Sequence, residues 1–255
     1  MSLRINTNIA ALNAHAQLVL SDKAQSTSMA KLSSGYRINN AGDDASGLAR
    51  ANTLRANVKA LNVASQNTVE GKAGLSIFEG QANQIEGILE RMKELATKDG
   101  GGSAATAEFD KMIAEIDRIA EAGGTNAANT VTIQVGVTAD AFSQVSVAIA
   151  AMSSSALSVN TATASTASLA AINTAIDTVS GILGDIGAGM NRLDFTYNNL
   201  QTLIVNTSAQ ESSIRDVDMA AEMVNFTKSQ IMMQAGTAML AQANTSSQNI
   251  LTLFR

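Results

Sequence analysis

A heptad stripe of apolar residues constrains the fold of this chain more than any other feature. Its members follow one another in alternating steps of four and three residues: Ile172, Ile176, Val179, Leu183, Ile186, Met190, Leu193, Tyr197, Leu200 and Ile204. This spacing places all of them along one narrow side of an α-helix. A helix over residues 168–204 is about 55 Å long at 1.5 Å per residue, so it needs another long element to cover the stripe.

The sequence predicts that this partner is a second long helix over residues 44–98. Asp43 and Asp44 precede it and suit the cap and the positive dipole of a helix N-terminus. The chain contains no Pro and only 3% aromatic residues, which favours long, uninterrupted helices. The partner helix repeats the heptad spacing through Leu54, Val58, Leu61, Thr68, Leu75, Ala82, Ile85, Leu89, Met92 and Ala96.

The segment between the two long helices changes its period. A third helix is predicted over residues 106–122. Apolar and polar residues then alternate, which predicts one β-hairpin at about 130–150. Ser, Thr and Ala dominate residues 151–168, so this stretch is predicted to be a short exposed connection. The predicted fold is mainly α: a long antiparallel coiled-coil rod, residues 44–215, that carries a small β-hairpin.

Both ends of the chain, residues 1–43 and 216–255, carry apolar residues at helical spacing but have no large core of their own. We expect these two terminal helices to pair into an inner coiled coil and to bury their remaining apolar residues against other copies of the chain. The predicted subunit-interface residues are Ile5, Ile9, Leu12, Leu18, Met223, Phe226, Ile231, Met239, Leu240, Ile250 and Leu253.

The residues offer no constellation typical of an enzyme, and no metal or cofactor is predicted. His15 is the only histidine and lies between Ala14 and Ala16, while the adjacent Asp43 and Asp44 fit helix capping better than acid–base chemistry. A net charge of −5 argues against nucleic acid as a partner. The chain shows neither a signal-peptide pattern at its N-terminus nor a run of about 18 apolar residues, so no membrane partner is expected.

Motifs at both ends resemble bacterial flagellin. The N-terminal part reads Leu32-Ser-Ser-Gly-Tyr-Arg-Ile-Asn39, followed by Gly42-Asp-Asp-Ala-Ser-Gly-Leu-Ala49. The C-terminal part reads Ile214-Arg-Asp-Val-Asp-Met219 and Leu240-Ala-Gln-Ala-Asn244. No single motif is specific enough, but together they are typical of that family.

The resemblance implies a non-enzymatic structural subunit that polymerises into the flagellar filament for motility. It implies that the terminal helices form an inner tube, and that the large outer domains of many flagellins are missing. Expected partners are other copies of the chain, the flagellar export machinery, an export chaperone and the filament cap. Export to the extracellular flagellum would occur without a cleaved signal peptide. A hook–filament junction adaptor, which resembles flagellin at its ends, is the alternative, although the short middle segment argues against it.

A charged helical stretch at residues 90–95 is similar to the flagellin region that an innate-immune Toll-like receptor recognises. The resemblance makes Arg91, Leu95 and Glu108 candidate receptor contacts. Arg91 and Leu95 are one helical turn apart and so are expected to share a face. The alternative interpretation is an ordinary solvated helix face.

Overall fold

The computed structural model describes residues 8–98, 103–138, 140, 143–160 and 168–253. The elements in these ranges are α1 (Ile9–Ser34), α2 (Ala45–Lys98), α3 (Ser103–Ala122), β1 (Asn129–Gln134), β2 (Gln144–Ile149), α4 (Leu169–Arg215) and α5 (Met219–Leu253). The mainly α fold with one small hairpin is therefore confirmed.

Two compact units divide the chain. The terminal unit comprises Met1–Arg55 and Thr207–Arg255, and the rod unit comprises Ala56–Asn206. The sequence placed these divisions at 43/44 and 215/216, about ten residues closer to the ends of the chain.

In the rod unit, α2 and α4 pack against each other in antiparallel directions. Lys72 pairs with Asp194 at 2.7 Å, and Ser180 donates to Glu86 at 3.2 Å. Higher residue numbers on α2 therefore lie beside lower residue numbers on α4. The predicted partner helix is thus the observed one. Eight members of the α2 heptad stripe are buried in this unit: Leu61, Thr68, Leu75, Ala82, Ile85, Leu89, Met92 and Ala96. Val58 of the stripe is half-buried, and Ala64, Ser65 and Leu95 are buried although they lie outside the stripe.

The buried face of α4 is shifted relative to the predicted stripe. Every second member of the stripe is buried as predicted: Ile172, Val179, Ile186, Leu193 and Leu200. The intervening members are only half-buried, and their neighbours on the other side are buried instead: Ala175, Ile182 and Gly189. The cause is a third layer, because α4 contacts the hairpin as well as α2.

The β-hairpin lies on the long helices at two glycines. Its strands pair antiparallel with Ile133 opposite Val145, and every second residue of β2 is buried. A Cβ atom on Gly189 would lie 2.6 Å from Cγ2 of Val147, and one on Gly71 would clash with Ile133. Small residues at these two positions let the sheet approach the helices closely, and α2 stays continuous through Gly71.

The prediction of an exposed connection over residues 151–168 is wrong for its first half. Met152, Leu157 and Val159 are fully or almost fully buried. Asp117 on α3 accepts hydrogen bonds from the backbone N–H and the hydroxyl of Ser154, both at 2.8 Å. These hydrogen bonds and three apolar residues within eight positions together hold this turn against the core, although Ser and Ala surround them. Residues 161–167 lie outside the described part of the chain.

Helix α4 is long and apolar enough, by length and composition alone, to cross a membrane. Its apolar residues are used in the rod core, where Ile172, Ile186 and Leu193 are completely buried. Asp177 and Asp185 interrupt the same stretch at exposed positions. Packing within the protein therefore accounts for the hydropathy of this helix.

Candidate functional site: the terminal helices

Helices α1 and α5 pair in antiparallel directions within the terminal unit. The Asn8 side chain at the start of α1 donates to the Ala243 carbonyl at 3.0 Å. Near the other end of α1, the Ser28 hydroxyl donates to the Glu222 carboxylate at 2.5 Å. The predicted pairing of the two ends of the chain is confirmed.

The seam between these helices consists mainly of small and polar side chains. A Cβ atom on Gly236 would lie only 3.5 Å from Cδ1 of Leu18, which shows how close the two helices come. The less exposed positions on α1 follow heptad spacing: Asn8, Ala11, Ala14, Leu18, Ser21, Gln25 and Ser28. Those on α5 do the same: Glu222, Phe226, Ser229, Met233, Gly236, Leu240 and Ala243. Because most of these side chains are short or polar, the seam buries little apolar surface.

Most of the large apolar side chains of the same two helices are exposed instead. The most exposed among them is Leu12, at 73%. So many exposed apolar side chains on one pair of helices indicate a protein–protein interaction site. We call it the apolar terminal surface, and its members are Ile9, Leu12, Val19, Leu20, Met29, Met219, Met223, Val224, Ile231, Met232 and Met239.

The predicted interface residues divide between this surface and the seam. Those exposed on the apolar terminal surface are Ile9, Leu12, Met223, Ile231 and Met239. Those half-buried at seam positions are Leu18, Phe226 and Leu240. Ile5 lies outside the described part of the chain. Ile250 and Leu253 lie at the end of α5, where the structure describes the helix but not the burial of its side chains.

The predicted interface residues leave out six members of the surface: Val19, Leu20, Met29, Met219, Val224 and Met232. Four of these six, all except Met29 and Met219, belong to a run of consecutive large apolar residues, such as Leu18-Val19-Leu20 or Ile231-Met232-Met233. Successive residues are about 100° apart on a helix, so such a run cannot face one narrow seam. At least one residue of each run must therefore face outward.

A shallow groove runs along one side of α5 within this surface. Met223, Val224, Ile231 and Met232 line it together with Thr227 and Lys228. These residues are spaced by three, four and eight positions, so they form one side of the helix. The groove has the shape and the chemistry to receive an apolar side chain.

The two sequence motifs quoted above meet at the breaks between helices. Gly35 ends α1 in the left-handed conformation, with φ +75°, and its carbonyl accepts from the Val217 N–H at 3.0 Å. The Arg37 N–H donates to the Arg215 carbonyl at 2.7 Å, and the Arg215 guanidinium lies 4.2 Å from the centre of the Tyr36 ring. These contacts hold the α1–α2 and α4–α5 turns together.

An ion pair also links the N-terminal and C-terminal parts of the chain within the terminal unit. Arg55 contacts Glu211 at 2.7 Å, and both side chains are partly shielded from solvent. Like the other contacts of this unit, the pair joins a residue of the N-terminal part of the chain to one of the C-terminal part.

The three candidate receptor contacts have different surroundings. Arg91 donates to Glu94 at 2.6 Å and to Glu108 at 3.4 Å, so α2 and α3 bring Arg91 and Glu108 together on the surface. The hydrogen bond to Glu94 raises the pKa of Arg91. Leu95 is only 8% exposed and belongs to the hydrophobic core.

Groups capable of other chemistry are scattered. His15 lies exposed on α1. Among the described residues, no three His, Asp or Glu side chains come together in a way that would hold a metal ion. Asp44 acts as predicted at the start of α2, where its carboxylate accepts from the Gly47 N–H at 2.9 Å.

Comparison with known proteins agrees with this arrangement. Residues 5–126 match the family described as bacterial flagellin N-terminal helical region, and residues 169–254 match the bacterial flagellin C-terminal helical region. The chain is 37% identical to a flagellin of Bacillus subtilis, with 99% of this chain and 100% of the relative covered. It is also 37% identical to the flagellar filament 31.3 kDa core protein of Treponema maltophilum, with 98% and 99% covered. The chain therefore belongs to the flagellin family, as a structural, non-enzymatic subunit of the extracellular flagellar filament.

Proposed function

We infer that the apolar terminal surface is the element through which copies of this chain assemble. The observation that carries this inference is the distribution of side chains on α1 and α5, where mainly small and polar residues pack inside the pair and most of the large apolar residues are exposed. A solitary two-helix unit of this kind leaves its main hydrophobic driving force unused. Burial stabilises by roughly 25 cal/mol per Å² of apolar area, so contact with neighbouring copies supplies what the seam lacks.

The same distribution supports a change of stability on assembly. Ordering a residue's backbone costs roughly 1–2 kcal/mol, and the polar seam offsets little of this in a free subunit. The terminal helices of the monomer are therefore expected to open readily and to become fully ordered between copies. An increase in helical circular dichroism on polymerisation is the expected sign.

A pair of neighbouring substitutions on α1 tests the proposed surface. Leu12→Gln removes the most exposed apolar side chain of the surface, whereas Asn13→Gln changes an exposed polar neighbour on the same helix. Leu12→Gln should raise the critical concentration for seeded polymerisation and leave the melting of the rod unit unchanged. Asn13→Gln should polymerise normally. Equal polymerisation of the two variants would reject the assignment.

Further partners follow from family membership as proposals. The flagellar export machinery, an export chaperone and the filament cap would all meet the terminal helices, and the groove on α5 offers an apolar site for such contacts. Export without a cleaved signal peptide is part of the same proposal. Mass analysis of the protein from filaments should then find an uncleaved N-terminal region.

Recognition by an innate-immune Toll-like receptor is a second proposal. The ion pair between Arg91 and Glu108 supports it, because it places two of the three candidate residues side by side and accessible. Arg91→Ala should weaken signalling by the monomer. Arg118→Ala is the matched control, since Arg118 forms a similar surface pair with Glu115 on α3.

Leu95 needs a different test because its side chain is buried. Leu95→Ala would leave a cavity and lower stability by about 2–5 kcal/mol, which would confuse the result. Leu95→Met keeps the volume and is the better probe. Equal signalling by the wild type, Arg91→Ala and Glu108→Ala would reject this surface as a receptor site.

The junction-adaptor alternative is less well supported. The relatives named above are a flagellin and a filament core protein, and the chain aligns with them over essentially their whole length. Seeded growth of uniform long filaments from the purified protein would separate a filament subunit from an adaptor.

A further inference from the structure

The methionines of this chain are distributed unequally between its two units. In the rod unit, Met92 and Met152 are completely buried. Among the methionines that the structure describes, the exposed ones all lie on α1 and α5, with exposed fractions between 42% and 63%: Met29, Met219, Met223, Met232 and Met239. Every one of them belongs to the apolar terminal surface.

We propose that these five methionines are a modification site for peroxides, and that their oxidation blocks assembly of the free subunit. The proposal rests on the assembly role inferred above for the apolar terminal surface. It adds that the surface is chemically vulnerable before assembly and protected after it.

The reaction is a two-electron oxygen transfer from hydrogen peroxide. A sulfur lone pair attacks one peroxide oxygen, an S–O bond forms and the O–O bond breaks. The second oxygen leaves as hydroxide and takes up the proton of the transferred oxygen, which gives water. The thioether is oxidised to a sulfoxide, and the peroxide is reduced.

Oxidation makes the surface polar at positions that lose contact with water when the subunit assembles. A thioether is apolar and adapts its shape to a partner, whereas a sulfoxide is polar and accepts hydrogen bonds. Met223 and Met232 both line the groove on α5. A sulfoxide buried there without a donor loses its hydrogen bonds to water, and burial of an unpaired polar group is unfavourable.

Peptide mass mapping tests the site itself without reference to assembly. Purified full-length monomer is treated with dilute hydrogen peroxide, and sulfoxide is measured at each methionine over time. The five surface methionines should oxidise at least about tenfold faster than Met92 and Met152, because buried thioethers are shielded from the oxidant. Uniform oxidation of all methionines, or preferential oxidation of the two buried ones, would overturn the proposal.

Seeded polymerisation tests the consequence. The oxidised monomer should show a critical concentration at least about tenfold higher, since several polar groups must be buried together. The same treatment of preformed filaments should leave the five methionines largely unmodified. Normal polymerisation of monomer that carries sulfoxide at all five positions would contradict the proposal.

Variants without these methionines provide the control. A protein with Met→Leu at the five positions should polymerise and should keep polymerising after peroxide treatment. If that variant fails to assemble, Met223→Leu combined with Met232→Leu should still reduce the effect of peroxide on the rate. If peroxide does not change polymerisation although Leu12→Gln impairs it, only the inference about oxidation fails. Normal polymerisation of Leu12→Gln would instead reject the proposed assembly surface.

Discussion

At the scale of single residues, the packing around each helical glycine decides whether that position can accept a larger side chain. Gly189 lies under Val147 of the hairpin, and Gly71 lies under Ile133. Gly184, on the same helix as Gly189, has open space around the position of a Cβ atom. The sequence shows all three as glycines within predicted helices, and only the packing of the hairpin distinguishes them.

Gly189→Ala and Gly184→Ala should therefore change stability in opposite directions. The new methyl group at Gly189 would overlap a branched, buried valine, and overpacking of this kind costs about 1–3 kcal/mol. At Gly184 the substitution only improves helix propensity, by up to about 1 kcal/mol. Thermal melting of the two variants checks the prediction, and a higher melting temperature for Gly189→Ala would contradict it.

The helix cap at Asp44 predicts a dependence on pH. The hydrogen bond from the Gly47 N–H holds the pKa of this carboxyl below its ordinary value of 3.8. A group whose pKa is lower in the folded state stabilises the fold above pH 3.8, and this contribution is lost as the pH falls through the folded-state pKa.

Comparison of Asp44→Ala with Asp44→Asn isolates this contribution. The alanine variant should melt below the wild type at neutral pH, and the difference should shrink in acid. The asparagine variant keeps an oxygen acceptor for the cap but does not titrate, so its melting temperature should exceed that of the alanine variant at every pH. Asp43 is unchanged in all three proteins and does not affect the comparison. A constant difference between wild type and Asp44→Ala down to pH 2 would contradict the assignment.

At the scale of elements, the sequence predicted most of the architecture because periodicity is a local property. The heptad stripe of α2, the period of two in β1 and β2, and the turn at Gly35 are all visible in the residues. The predicted buried stripe of α4 was wrong at every second member, and the preceding residues Ala175, Ile182 and Gly189 are buried instead. The hairpin that packs on α4 causes this difference, and it comes from a distant part of the chain. The half-polar seam of α1 and α5 was not predicted, because the sequence alone does not show which side of each terminal helix faces the other.

The turn over residues 152–159 shows the limit of composition as a guide. It was predicted to be exposed because Ser and Ala dominate it, yet Met152 and Val159 are fully buried. Tertiary contacts decided the outcome, above all those of Asp117 with Ser154. A side chain on α3 that binds a turn more than 30 positions later has no local signature in the sequence.

Asp117→Ala should release this turn. The substitution leaves the N–H and hydroxyl of Ser154 without their acceptor, and loss of a partner for largely buried donors costs about 1–3 kcal/mol. Amide hydrogen exchange should become faster at residues 152–159, while exchange in the buried middle of α2 should follow only the small global change. Asp110→Ala, an exposed acidic position on the same helix, is the control. Unchanged exchange in the turn of the Asp117 variant would show that its apolar residues alone hold it.

At the scale of the whole molecule, the chain combines a unit with a large hydrophobic core and a unit whose described residues bury few large apolar side chains. The rod unit buries a continuous cluster that includes Leu75, Phe109 and Ile186. The terminal unit presents its large apolar side chains to the outside. This contrast is the physical basis for assigning folding to the first unit and polymerisation to the second.

Seeded polymerisation of truncated chains tests this division of roles most directly. Proteins lacking residues 1–33, residues 216–255 or both are compared with the full chain by circular dichroism, sedimentation and electron microscopy. The doubly truncated protein, residues 34–215, contains the predicted rod, residues 44–215, and should remain helical, soluble and monomeric. None of the truncated proteins should extend seeds, whereas the full chain should gain helix as it polymerises. Filaments of normal diameter from the doubly truncated protein would contradict the account, because assembly would then not depend on the terminal helices.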